Sequence, residues 1–331
     1  MQNKWRLAAV TVVMAAASVL IGCGPTNNTT NNTTQAGAPT NLNLPKDPTY
    51  TGPIVAKFNG GELTKQEFDA EYNLQVVLPG LTSHESKADF LNYYVVWYKY
   101  LYAKAIKTAQ TPVNTAQAQQ LADQSIQQLV GAQFKTKQDV LNKLKSMNLS
   151  EDDLVRLAEK GQILQEYLQS QLKGVTVSDK DAEAYYKAHQ SDYIQVTVDQ
   201  ILLSSEQKAK QIQAQLKAGA NFAKLADANS IDPSVKQNHG HFADQMASSF
   251  VPQFAKACET LPIGQISDPV QTQFGYHILK VDSRKQLSYS QVADQIKQQL
   301  LPQAQRAKEQ SLFNSAKQSA DIKLTVKASD L

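Results

Sequence analysis

Cysteine is nearly absent from this chain: 331 residues hold two. That excludes a disulfide-stapled scaffold and any four-cysteine zinc site. A surplus of one charge sign is missing as well. Lys and Arg number 33 against 30 Asp and Glu, a net charge of +3. Lys4 and Arg6 are the only charges ahead of Cys23, so the chain from there on is closer still to neutral. No nucleic-acid partner is expected, because such binding needs a basic stripe against phosphates. There is no phosphate-cradling glycine loop, no Ser/His/Asp signature and no HExxH helix. No cofactor and no metal are therefore expected. What is present is an apolar share of 42%, enough to supply a core, and a length that suits two or three domains.

Long apolar runs are also missing, with one exception. Leu7 to Ile21 carries no charge and follows Lys4 and Arg6. A spanning helix needs about 20 residues to cross roughly 30 Å, so this shorter run reads as a signal-peptide core. It closes on Leu20-Ile21-Gly22-Cys23, which resembles a bacterial lipobox. On that resemblance residues 1–22 are removed, and Cys23 takes a diacylglyceryl thioether that anchors the chain. An ordinary secretory signal with an incidental cysteine is the alternative. Asn27-Asn28-Thr29-Thr30 then repeats as Asn31-Asn32-Thr33-Thr34, followed by scattered Pro and Gly. Residues 23–50 cannot bury enough apolar surface to offset their ordering entropy, so they form a disordered tether. The expected location is the outer face of the bacterial cytoplasmic membrane. Cys258, left without a partner, reads as a small buried hydrophobe rather than a nucleophile.

The body has an α+β pattern. Ile54–Phe58 reads as a strand, Asn59-Gly60-Gly61 as a turn, and Thr64-x-x-Glu67 as a helix start. Helices follow at about 85–110, 114–131, 137–147 and 151–172, making 51–175 a mostly helical domain. Within it Phe90, Tyr94, Trp97 and Leu101 fall at helical spacing as a core stripe. Tyr93, Tyr98 and Tyr100 cannot all face the same way. The helix is either covered on two sides or presents an outward aromatic face suited to unfolded chains. A connector helix is expected within 176–195. Residues 196–284 then give a strand, three helices and two more strands, with an irregular stretch around Asp232-Pro233 and Gly240: a small α+β domain inserted in the helical one. Residues 285–331 add a Gln-rich helix and the alternating strand Ile322–Val326. That strand and Ile54–Phe58 are each alone, and pairing would satisfy both backbones.

The middle domain carries five ordered blocks: Asn221-Phe222-Ala223-Lys224-Leu225-Ala226, Ser230-Ile231-Asp232, Val251-Pro252-Gln253-Phe254, Gly264-Gln265-Ile266-Ser267-Asp268-Pro269-Val270 and Phe274-Gly275-Tyr276-His277-Ile278-Leu279-Lys280. Together they resemble the parvulin family of peptidyl-prolyl cis-trans isomerases. With the lipobox and the helical region, the whole chain resembles PrsA-type foldase lipoproteins. The helical part is similar, less specifically, to SurA-type chaperone regions. The resemblance implies a membrane-anchored foldase whose partners are unfolded or partly folded secreted polypeptides, with homodimerisation through the helical region. A non-enzymatic holdase with a degenerate parvulin domain is the competing class.

Block by block, the resemblance implies a proline pocket of Phe254, Phe250 and Phe242, open beside His277. It implies a polar network of His277 and Thr272, with Asp232 at the family's Cys/Asp position. Read without it, the phenylalanines are core, His277 is a satisfied core residue, and Asp232 forms a turn before Pro233. Gln200 stands where the family has its first histidine. Glutamine donates and accepts hydrogen bonds but does not exchange tautomers. The family's glycine block is reduced to His239-Gly240-His241-Phe242-Ala243, leaving the turn there open. His239-x-His241 with Asp244 reads as a solvated loop in preference to a metal site.

Overall fold

A computed structural model describes residues 42–331, so the signal segment, Cys23 and the start of the tether lie outside the described residues. One compact unit takes the chain up to residue 174 together with 305–331, and the other takes 175–304. The fold is α+β.

In the first unit β1 (Ile54–Phe58) and β2 (Gly61–Thr64) form a hairpin. Thr64 caps α1 (Lys65–Tyr72), its hydroxyl accepting the Glu67 N–H at 3.2 Å. Next comes α2 (Lys87–Tyr94), which runs through a π-helical segment, Val95–Leu101, into α3 (Tyr102–Thr108). The wider π turns keep a four-residue spacing on one face. Phe90, Tyr94, Tyr98 and Tyr102 are therefore all buried. Tyr93, Trp97 and Tyr100 pack against the same core, Trp97 with its ring 6.2 Å from Phe313. The outward aromatic face does not form. Among the described residues the large exposed apolar side chains are Leu44, Ile231, Ile263, Phe274 and Leu324.

The bundle is completed by α4 (Thr115–Ala132), α5 (Lys137–Ser146) and α6 (Glu151–Leu172). The first two start at side-chain caps, at Asn114 and Thr136, and α6 starts with the Ser150 N–H donating to Asp153 Oδ2 at 2.7 Å. The closing strand Lys323–Leu324 pairs antiparallel with β1 as expected, but β1 is not alone: it is the central strand, between β2 and the closing strand. Inside this unit Glu67 accepts from Tyr94 Oη at 2.9 Å and Lys99 Nζ at 2.8 Å. Burial pushes the carboxyl of Glu71 above its usual range, with Lys160 opposing.

The second unit opens with α7 (Asp179–Ala188) and β3 (Ile194–Leu203). It continues through α8 (Glu206–Lys217), α9 (Phe222–Asn229), β4 (His241–Met246) and α10 (Pro252–Thr260). β5 (Val270–Thr272), β6 (Gly275–Gln286) and the part of the long α11 (Tyr289–Ala320) up to residue 304 follow. The sheet order is β4–β3–β6–β5, antiparallel throughout. The two-residue period of the strands sorts their side chains. Ile201, Leu203 and Ile278 face α8 and α9, while Val196, Val198, Leu279 and Val281 face α10 with Phe254 and Cys258. Cys258 is buried, and burial pushes its thiol up to about 12, which keeps it inert. Arg284 on β6 closes the end of α10 by donating from Nε to the Cys258 carbonyl at 2.7 Å. No helix among the described residues is long and apolar enough to cross a membrane.

β4 occupies the stretch that reads as irregular in sequence, and Gly240 makes its approach to β3 possible. Its φ is +81°, and a Cβ there would lie 2.4 Å from the Gln200 carbonyl oxygen, whose own N–H donates to the Gly240 carbonyl at 2.7 Å. His239 takes φ +54° without being glycine. The single glycine left in this block stands where a side chain cannot. Gly240→Ala is expected to destabilise the second unit by more than about 2 kcal/mol, from backbone strain plus a clash. Gly219→Ala, with φ +92° but nothing within 4 Å, should show the strain alone. Hydrogen exchange of β3 amides measures both, and equal losses would contradict the clash.

Candidate active site

Gln200, His277 and Thr272 come from β3, β6 and the end of β5. The register sets Leu202 opposite His277 and Val270 opposite His277 on the other side, so alternation turns all three side chains toward α10. All three are buried. His277 Nδ1 lies 2.7 Å from Gln200 Oε1, and its Nε2 lies 2.8 Å from Thr272 Oγ1. Gln200 Nε2 donates in turn to Asp232 Oδ2. Burial drives the pKa of His277 down to about 4, against the pull of the Asp232 charge, so the ring is neutral at pH 7.

The two roles open to Asp232 turn out to be compatible. Its Oδ1 accepts from Ser234 N and Ser234 Oγ, each at 2.8 Å, which is the turn after Pro233. Its Oδ2 serves Gln200. Two serines that sequence reasoning passed over hold this corner. Besides Ser234, Ser230 Oγ accepts from the Leu202 N–H at 3.1 Å and the Asp232 N–H at 3.3 Å, tying the loop to β3. The Ser230-x-Asp232-x-Ser234 spacing was the available signal.

The three phenylalanines come together as a run. Phe254 meets the His277 ring edge-on at 5.2 Å, Phe250 stacks on Phe254 at 4.4 Å, and Phe242 meets Phe250 edge-on at 6.0 Å. The open pocket wall expected at Phe254 is corrected here: Phe254 is 2% exposed and His277 4%. Phe254 is held by Val198, Leu279 and Cys258 in the core beneath. Phe250 and Phe242 are only half-buried and form the apolar surface above it. Two apolar side chains missed in sequence stand exposed near the polar line, Phe274 at 58% and Ile231 at 52%. The Phe274 N–H donates to Thr272 Oγ1 at 3.1 Å, and the Ile231 N–H to the Leu202 carbonyl at 2.9 Å. Nothing in their local sequence marks them as exposed.

His239 and His241 do not converge. His239 Nδ1 binds Asp227 at 2.8 Å, whereas His241 Nδ1 binds Asp199 at 2.7 Å. Asp244 lies apart, its N–H donating to Thr197 Oγ1. Asp199, His241 and Asp282 do bring ligand atoms within 4.8 Å of one another. The ammonium of Lys280 already sits against both carboxylates, 2.6 Å from Asp282 and 3.6 Å from Asp199. That places a cation where a metal would have to go.

Residues 177–298 match the family model of the PPIC-type peptidyl-prolyl isomerase domain. The foldase protein PrsA of Clostridium botulinum (strain Langeland) is 27% identical over 294 residues, 81% of this chain and 87% of that one. The foldase protein PrsA of Halalkalibacterium halodurans is 33% identical over 151 residues, 46% of this chain and 45% of that one. Among solved structures, peptidylprolyl isomerase (PrsA) from Bacillus cereus has a TM-score of 0.38 at 22% identity, covering 84% of this chain and 95% of that chain. The second unit thus contains a parvulin-type isomerase domain.

Proposed function

We propose that this chain, a PrsA-type parvulin foldase, works outside the cytoplasmic membrane, anchored through lipidated Cys23, and turns prolyl bonds in secreted polypeptides by means of the Gln200–His277–Thr272 line. Rotation about a prolyl bond faces about 18–20 kcal/mol because amide resonance must be broken. Each tenfold acceleration needs about 1.4 kcal/mol of preference for the twisted amide. Fixed dipoles beside an apolar seat can supply several such steps without a cofactor. Phe250 and Phe242 offer the seat, Phe254 supports it from below, and the polar line supplies the dipoles. The observation that carries this reading is that the hydrogen-bonded line is complete and packed edge-on against that aromatic run. The helical unit would hold the client meanwhile.

A second reading, a holdase that binds without isomerising, draws support from the sealed state of His277 and Phe254 and from Gln200. A protease-coupled prolyl peptide assay on the full chain separates the two. Acceleration above background is expected; a background rate with client aggregation still suppressed would leave only the holdase. For the anchor, a labelled fatty acid should be incorporated into the native chain and not into Cys23→Ser, and equal labelling of the two would defeat it.

A further inference from the structure

The hydrogen bonds of the polar line have only one self-consistent direction. Asp232 accepts at both oxygens, and a carboxylate has no hydrogen to give. Gln200 must therefore turn its NH2 toward Asp232 Oδ2, since the reversed carboxamide would set oxygen against oxygen. That leaves Gln200 Oε1, an acceptor only, 2.7 Å from His277 Nδ1, so Nδ1 must carry the hydrogen. A neutral imidazole then has a bare lone pair at Nε2, which takes the Thr272 hydroxyl hydrogen at 2.8 Å. The Thr272 oxygen is left free for the Phe274 N–H at 3.1 Å. In the opposite tautomer the Thr272 hydroxyl would meet two donors, with no acceptor in the line for its own hydrogen.

We propose that Asp232 and Gln200 are positioning residues that lock His277 in its Nδ1–H tautomer, so that the line runs one way from the Phe274 turn to Asp232 and never reverses. A histidine at position 200 could hand the hydrogen either way; glutamine cannot. The positioning role rests on the catalytic reading of His277, but the tautomer does not.

Long-range nitrogen–proton correlation of the imidazoles in the 15N-labelled full chain tests it, with His277 identified by the signal lost in His277→Gln. The expected pattern is a protonated Nδ1 and a bare Nε2. Asp232→Asn gives position 232 a donor, releases Gln200 to flip, and should shift His277 partly or wholly to Nε2–H. A native chain with Nε2–H overturns the proposal whatever the variant does, and an Asp232→Asn chain with the native pattern removes Asp232 as the cause. An isomerase rate at background beside the expected native pattern would defeat the catalytic reading alone.

Discussion

His277→Ala is expected to lose roughly 100-fold in isomerase kcat/KM, the scale on which a single preorganised electrostatic group acts, while the second unit loses stability at the same time. The stability loss has two sources. The imidazole fills space against Phe254, and its removal leaves a cavity that close-packed neighbours only partly refill. It also strands Gln200 Oε1 and Thr272 Oγ1 without their shared partner, at about 1–3 kcal/mol for each buried group left unsatisfied. A total near 4 kcal/mol is within reach for a domain of this size. The two losses must be separated, because an unfolded site is inactive for an uninteresting reason. His277→Gln keeps a polar side chain near Thr272 and tests the rate with less damage to the fold. An unchanged rate in either variant, with folding verified by hydrogen exchange in β3, would remove His277 from the mechanism.

Much of this arrangement was legible in the residues, and what was not has identifiable causes. Caps speak locally: Thr64 starts the helix that its spacing to Glu67 announces. The pairing of the first and last strands was expected from each strand's need for a partner, although β1 also pairs with β2, a strand the sequence reading did not give. Three features depended on packing and could not be read. The π-helical segment changes which aromatics share a face. β4 is mostly polar and exposed, so it lacks the apolar alternation that marks a strand. Phe254 looks like a pocket wall in sequence, but its depth depends on how far α10 settles onto Val198 and Leu279. The family resemblance named Gln200, Asp232, Thr272 and His277, and the fold joins them in one hydrogen-bonded line whose direction needed three dimensions. The exposed Phe274 and Ile231 were hidden for the converse reason: burial is set by what fails to cover a side chain.

The stability of the second unit should fall as pH drops from about 6.5 to about 4. His277 has its pKa lowered by burial to about 4, while in an unfolded chain it titrates near 6.5. Between those limits the unfolded chain binds a proton that the folded site refuses, so acidification favours unfolding. The contribution is complete above pH 6.5, is lost progressively on the way to 4, and is flat below, where both states are protonated. A shift of that size corresponds to roughly 3 kcal/mol. Glu71 in the first unit acts in the opposite sense, because its raised carboxyl favours the folded state at low pH and penalises it as pH rises. A whole-chain melting curve would mix the two. Tryptophan fluorescence does not read the second unit, whose sequence contains no tryptophan. Amide hydrogen exchange at Ile201 and Leu279, both fully buried beside the site, reads the second unit by itself. The native chain should lose protection there between pH 6.5 and 4 with a slope steeper by nearly one proton than His277→Gln. Equal slopes would mean that the imidazole titrates alike in the folded and unfolded chain, so that burial does not hold it neutral between pH 6.5 and 4.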